Sequence, residues 1–403
     1  MILRIFILCF LGAFLEGADF QVAAIAVPKI ALDWGRPAPD FAAVFSMTSL
    51  GSALGTVLIG WITDRFGRKS SFALSLVGLG LFTLAACFTS TILGMTAWRF
   101  LGGICLGGTL VTIVTIVSDN SKPENRIRDT MLIYTGTPFG AMICSLVGGV
   151  ILKTFHDWKP IFYLGGGLPL LLAVCVVLWL PEPRSFIAAR SKLRSGEAES
   201  GVFDREYFAR TIALWFTELI SLSAIFLLTS WLPTILAKAT GSLSSASFYT
   251  SLIYFGSIIG TLVLAALIRR TGPYRLMTGV FAFAAVVAVM LNTSVQHPGT
   301  ALLVGLVVLG IGLVGGHITL NTLAAGIYPV RIRGRGVGLA MGAGRCGALI
   351  GPGVGAFALT SPVLKDSVFL VLAGMVALSA VSIMVLAYYA RPVAAASDLA
   401  AQP

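Results

Sequence analysis

Six titratable side chains stand where this chain offers them little water: Glu16, Asp19, Arg99, Glu218, His317 and Arg345 all lie inside long apolar runs. A charge at the centre of a bilayer costs about 2.5–3.5 kcal/mol, so each one asks for a reason. Glu16 and Asp19 are three residues apart and share one helix face. Two like charges in a poorly solvated site cannot both ionise without a large penalty, so one is expected to hold a proton. A proton-coupling carboxylate needs that behaviour. The alternative is that one or both pair with Arg99 and hold helices together. Arg345 has a fork that can grip a carboxylate with two bonds; its alternative is a structural pair with Glu218 or another acid. His317 and Asn321 are four apart on one face. A lone histidine is more often a packing residue, but its depth suits contact with a substrate or a proton. Glu218 occupies the seventh run at a depth like that of Glu16 in the first. Trp231, Tyr254, Phe255 and Phe281 could stack on a ring, although such aromatics more often only pack.

The elements that must position these groups are membrane helices. Of 403 residues, 57% are apolar and 11% charged, whereas a soluble domain carries about 25% charge. Twelve apolar spans are expected, at 5–27, 42–62, 71–90, 94–117, 131–152, 160–180, 209–233, 244–267, 276–294, 300–327, 336–360 and 367–390. They must be helices, because lone strands would leave backbone groups unpaired in lipid. The net charge of +11 invites a nucleic-acid partner, but the placement of the charges argues against one. Of the 28 Lys and Arg, 20 fall in one set of turns. Six fall in the other (Lys29, Arg36, Lys153, Lys159, Lys238 and Lys365), and Arg99 and Arg345 lie inside spans. That alternation predicts cytoplasmic termini and a cytoplasmic 181–208 linker. Cys9, Cys87, Cys105, Cys144, Cys175 and Cys346 all fall inside spans with no Cys-x-x-Cys pair, which reads as packing rather than disulfide or metal chemistry. Met1–Arg4 before an apolar run resembles a signal peptide, but Glu16 and Asp19 would interrupt its core, so a retained first helix is expected.

A charged hairpin, Gly60–Lys69, sits between the second and third spans. A worn copy lies 205 residues later, where Arg270 and Gly272 repeat Arg65 and Gly67 and Arg269 replaces Asp64. The Arg-Ile-Arg runs at 126–128 and 331–333 share that offset. Two landmarks at one spacing indicate a duplicated chain. The expected organisation is a six-helix bundle over 1–180, a linker over 181–208, a second bundle over 209–391 and a disordered tail over 392–403. Glycine is dense in the fifth span (Gly136, Gly140, Gly148, Gly149) and the eleventh, which suits either tight packing or a moving seam between halves.

Gly60, Asp64, Arg65, Gly67, Arg68 and Lys69 stand at the spacing of the hairpin signature of the major facilitator superfamily, which the chain resembles. Arg99 with Gly102, Gly103, Gly107 and Gly108 is similar to that family's fourth-helix motif. Within the superfamily the likeness is to the aromatic acid:proton symporters. It is carried by Glu16-Gly17-Ala18-Asp19, Ser230-Trp231-Leu232-Pro233-Thr234, the run Gly315–Ala325 with Tyr328-Pro329, Arg333-Gly334, Gly336-Val337-Gly338, Gly344-Arg345 and Gly351-Pro352. The departures are Glu16 in a slot usually held by Asp, His317 where an amide is common, and Arg269 in the second hairpin.

The resemblance implies an all-α fold of twelve helices in two pseudo-symmetric bundles. It implies a proton-coupled symporter importing a hydroxybenzoate-like carboxylate across a bacterial-type inner membrane. Glu16, Asp19 and Arg99 would couple protons. Arg345, His317, Asn321, Glu218, Trp231 and Tyr254 would meet substrate. Gly60, Asp64, Arg65, Gly67 and Arg68 would form a latch between the halves. Expected partners are a small organic anion, protons and membrane lipids, with no cofactor, no nucleic acid and a monomeric state. Rival cargoes are a sugar acid, a dicarboxylate or a drug expelled by antiport. A membrane enzyme would need clustered catalytic groups, yet His156, His297 and His317 are scattered. A sensor would usually carry a soluble output domain. No nucleotide-binding glycine loop is present, which argues against ATP drive.

Overall fold

Long apolar stretches with few breakers fold here into long helices. The computed structural model describes residues 2–122, 126–181, 207–327 and 333–390. The linker expected over 181–208 and the tail over 392–403 lie largely or wholly outside them. The first half is α1 (Ile2–Trp34), α2 (Ala42–Phe66), α3 (Arg68–Ala86), α4 (Ile92–Asn120), α5 (Arg126–Tyr134), α6 (Gly136–Phe155) and α7 (Lys159–Trp179). The second is α8 (Phe208–Thr240), α9 (Leu243–Thr271), α10 (Pro273–Ser294), α11 (Thr300–Leu309), α12 (Gly316–Ile327), α13 (Arg333–Thr360) and α14 (Val368–Ala390). α5 and α6 together make the fifth crossing, broken at Thr135. α11 and α12 make the tenth, joined by a π-helical turn at Gly310–Gly315.

Among the described residues, ten helices are long and apolar enough to cross a membrane. α1 with 33 residues and α13 with 28 complete the twelve crossings; at 1.5 Å per residue even the shorter spans about 42 Å, beyond the hydrocarbon core. The outer faces are apolar as well. α7 turns Leu171, Val174 and Leu178 outward while Leu172, Ala173 and Val176 pack inward.

The duplication is visible in the backbone. Gly67 ends α2 and starts α3 at φ 98°, ψ 157°. Gly272, at the 205-residue offset, ends α9 and starts α10 at φ 79°, ψ 148°. Each donates its N–H to the carbonyl four residues back, Gly67 to Thr63 and Gly272 to Ile268, both at 3.2 Å. A side chain is strained at such positive φ, so both copies keep glycine.

Successive crossings alternate in direction. The ends near the 181–206 connection form a linker side, and the opposite ends form a distal side. Packing differs between the two. On the linker side a first-half core gathers Ile5, Leu8, Phe72, Leu76, Ile116 and Val176. On the distal side Val27, Ile30, Phe41, Phe45 and Trp158 share one core with Trp231 of the second half. The halves therefore have a common apolar core on the distal side.

Candidate functional site

Asp19 and Arg99 come together in the first half, each only 1% exposed. Arg99 Nη1 donates to Asp19 Oδ2 at 2.7 Å and Nη2 to the Asp19 carbonyl at 3.0 Å. Thr83 Oγ1 donates to the other carboxylate oxygen at 2.7 Å. One acid on α1 thus holds α3 and α4, with both oxygens bonded and the buried charge paired.

Glu16, one helical turn away, does something else. Its Oε2 accepts from Thr137 Oγ1 of α6 at 2.9 Å. Among the described residues, the cation that acts electrostatically on it is Arg345 of α13, in the other half. The three-residue spacing thus points the two acids at different cations.

Arg345 bridges the halves. Its Nη1 donates to Ser52 Oγ of α2 at 2.9 Å. Its charge also reaches His317 and Tyr134. In α8, Glu218 is 1% exposed. Its Oε2 lies 3.7 Å from His317 Nε2, and its Oε1 has no hydrogen-bond partner among the described residues. His317 Nδ1 and Ser221 Oγ are 3.0 Å apart. The structural pair of Arg345 with Glu218 therefore does not form; the histidine stands against Glu218 and the arginine reaches across the seam.

Further seam contacts among the described residues lie at mid-depth or toward the distal side. Tyr254 Oη of α9 donates to Gln21 Oε1 of α1 at 2.6 Å. Ser46 Oγ of α2 donates to the Leu349 carbonyl of α13 at 2.8 Å. Phe45 meets Trp231 edge-on at 5.3 Å, and Phe20 meets Phe226 likewise at 5.5 Å. A Cβ on Gly149 of α6 would lie 2.8 Å from Ser247 Cβ of α9, so glycine is what lets these helices meet.

Several expected site residues are placed differently from a ligand-lining role. Trp231 is fully buried, and its indole N–H donates to the Pro352 carbonyl at 2.8 Å, so its ring is not open to a ligand in this conformation. Phe281 is buried in the second-half core and Phe255 faces outward. Arg68 forms an ion pair with Asp119 of the same half at 3.0 Å. The side chains of Gly60, Asp64, Arg65 and Asn321 lie outside the described residues. The residues that sequence reasoning passed over are Ser52, Thr83, Thr137, Ser221 and Gln21. Their only signal was a polar side chain inside an apolar span.

The chain matches the Major Facilitator Superfamily over residues 9–291 and again over 214–403. It is 29% identical over 385 residues to the 4-hydroxybenzoate transporter PcaK of Acinetobacter baylyi, covering 88% of this chain and 84% of that one. It is 30% identical over 347 residues to the 3-(3-hydroxy-phenyl)propionate transporter of Escherichia coli, covering 86% and 84%. Among solved structures, the inward open xylose transporter XylE of E. coli aligns with a TM-score of 0.79 at 15% identity over 95% of this chain and 96% of that one, a likeness of fold. With the match spanning both halves, the chain belongs to the Major Facilitator Superfamily and is a multi-pass membrane transporter rather than an enzyme.

Proposed function

We propose that the chain is a proton-coupled symporter that imports a small aromatic carboxylate of the hydroxybenzoate kind. The observation that carries this reading is Arg345, a mid-membrane guanidinium that reaches from one half to Ser52 of the other. A carboxylate offers that fork two charged acceptors and outcompetes a neutral hydroxyl. An anion held there touches both halves at once, as alternating access requires. The names of the two relatives supply the substrate class, since both carry hydroxylated aromatic acids.

Glu16, Asp19 and Arg99 are the coupling group in this reading. Ionised Asp19 pins Arg99 and Thr83; a proton on it removes the charge that Arg99 pairs with and loosens α1 from α3 and α4. The halves, residues 1–180 and 209–391, rock about the seam. The halves share an apolar core on the distal side, and the basic excess supports placing the linker side in the cytoplasm of a bacterial-type inner membrane. An anion entering against an inside-negative potential costs about 2.3 kcal/mol per 100 mV, and a cotransported proton cancels that term.

The test is uptake of labelled 4-hydroxybenzoate into vesicles holding the purified protein. Accumulation should need an inward proton-motive force, a pH gradient or an inside-negative potential, and should be competed by related aromatic acids. Accumulation indifferent to that force, or competition by no aromatic acid, would overturn the reading.

A further inference from the structure

Glu218 and His317 form a second titratable cluster, in the half that lacks the Asp19–Arg99 pair. Glu218 is buried at mid-depth with one carboxylate oxygen unpartnered among the described residues. A bare carboxylate in that position is heavily penalised unless a proton sits on it or on its neighbour. The neighbour is His317 Nε2 at 3.7 Å, on a ring whose other nitrogen is held by Ser221. His317 is 12% exposed, whereas Glu218 is sealed, so a proton can enter through the ring and rest on the pair.

The surroundings of the pair fit this role. Among the described residues outside the pair, Arg345 of α13 acts electrostatically on His317 and on Glu16 of α1, and its Nη1 is anchored on Ser52 Oγ of α2 at 2.9 Å. α14 offers Ser382, which is engaged with Thr217 at 2.7 Å. Tyr254 of α9 gives its hydroxyl to Gln21. One guanidinium therefore acts electrostatically on an acid of the first half and on the imidazole of the second.

We propose that Glu218 and His317 make up a second proton-carrying site, coupled through Arg345 to the first, so that two protons accompany each substrate anion. An anion on Arg345 cancels the positive charge shared by both sites, so anion and proton favour each other's binding, and the linkage is reciprocal. One anion with two protons moves one net positive charge inward, so uptake draws on the membrane potential as well as on the pH gradient. No bond other than those to the protons is made or broken. This inference rests on the symport reading above.

The experiment uses the full chain in vesicles, labelled 4-hydroxybenzoate, equal pH on both sides and a potassium diffusion potential, negative inside. The wild-type protein should accumulate label under the potential alone. Glu218→Gln should lose that potential-driven accumulation at least tenfold while still accumulating label under a pH gradient. Wild-type uptake that responds to the gradient but not to the potential overturns the second site and leaves the symport reading standing. Undiminished potential drive in Glu218→Gln also overturns it. Wild-type protein that takes up no aromatic acid sinks the symport reading instead. The site is then read by infrared titration of the purified protein, where a protonated carboxyl band present in wild type and missing from Glu218→Gln supports it and an unchanged band overturns it. If Glu218→Gln does not fold, His317→Gln is carried through the same potential-driven assay and should show the same loss.

Discussion

Asp19→Asn separates what the Asp19–Arg99 pair does for the fold from what it does for transport. The amide keeps the shape of the carboxyl, and its oxygen can still accept from Arg99. Its NH2 then faces Thr83, whose hydroxyl can swivel from donor to acceptor. Arg99 Nη2 keeps the Asp19 carbonyl. Charge is lost, leaving a guanidinium 1% exposed with no anion paired to it. Removing one partner of a buried pair costs about 3–5 kcal/mol, and the retained hydrogen bonds place this change near the lower figure. That is roughly a hundredfold in the folded-to-unfolded ratio. The assay is unfolding by detergent titration in mixed micelles, followed by tryptophan fluorescence. Replacing Arg99 with Met in the same chain removes the stranded charge and should recover most of the loss. Proton-driven accumulation should be abolished in both variants, while exchange of labelled for unlabelled substrate persists in the double variant. An Asp19→Asn protein as stable as wild type would refute the structural argument. A double variant that still concentrates substrate would refute the coupling argument.

Arg345→Lys keeps a positive charge but loses the fork, and lysine cannot present two parallel donors to a carboxylate. Substrate affinity should fall about 30-fold or more, the equivalent of the roughly 2 kcal/mol expected for a buried charged contact, measured by equilibrium binding; unchanged affinity would exclude Arg345 from the site. Tyr254→Phe leaves the buried Gln21 side chain with neither end bonded. The closed distal seam should weaken by about 1–3 kcal/mol, and spin labels on the distal ends of α6 and α9 should report a wider separation. A distance distribution identical to wild type would refute a closing role for that bond. Gly149→Val puts methyl groups into the Ser244 and Ser247 surface of α9 and should widen the same distribution; it fails if the two helix ends stay at their wild-type distance.

The membrane fold was open to reading because its constraints are local. Apolar runs of the right length must be helices in lipid, and their alternating basic turns imply a direction. The duplication could also be read, since Gly67 and Gly272 are the only residue type that tolerates the turn they share. The site was readable by residue type and much less so by pairing. Asp19 and Glu16 looked equivalent in sequence; the helix rotation between them sends one to Arg99 and the other toward Arg345. The partners Thr83, Thr137 and Ser52 carried no pattern, because a threonine or serine in a membrane span usually bonds its own helix backbone, as Thr48 and Thr56 do here. Trp231 resembled a stacking platform, yet its indole fills the distal core and caps the Pro352 carbonyl. The tenth span looked uniform from 300 to 327, and only its glycines hinted at the irregular turn within it.

That turn at Gly310–Gly315 has a consequence for His317, which follows it by two residues. A π turn holds about one residue more than an α turn, and each residue in an α-helix sweeps about 100°. The wider loop therefore sets the compass bearing of everything below it. Winding the same residues as regular α-helix would leave the residue count unchanged, yet swing the imidazole by about 100°, away from Glu218. The aim of that ring is thus fixed by backbone winding several residues upstream, where no side chain chemistry is involved.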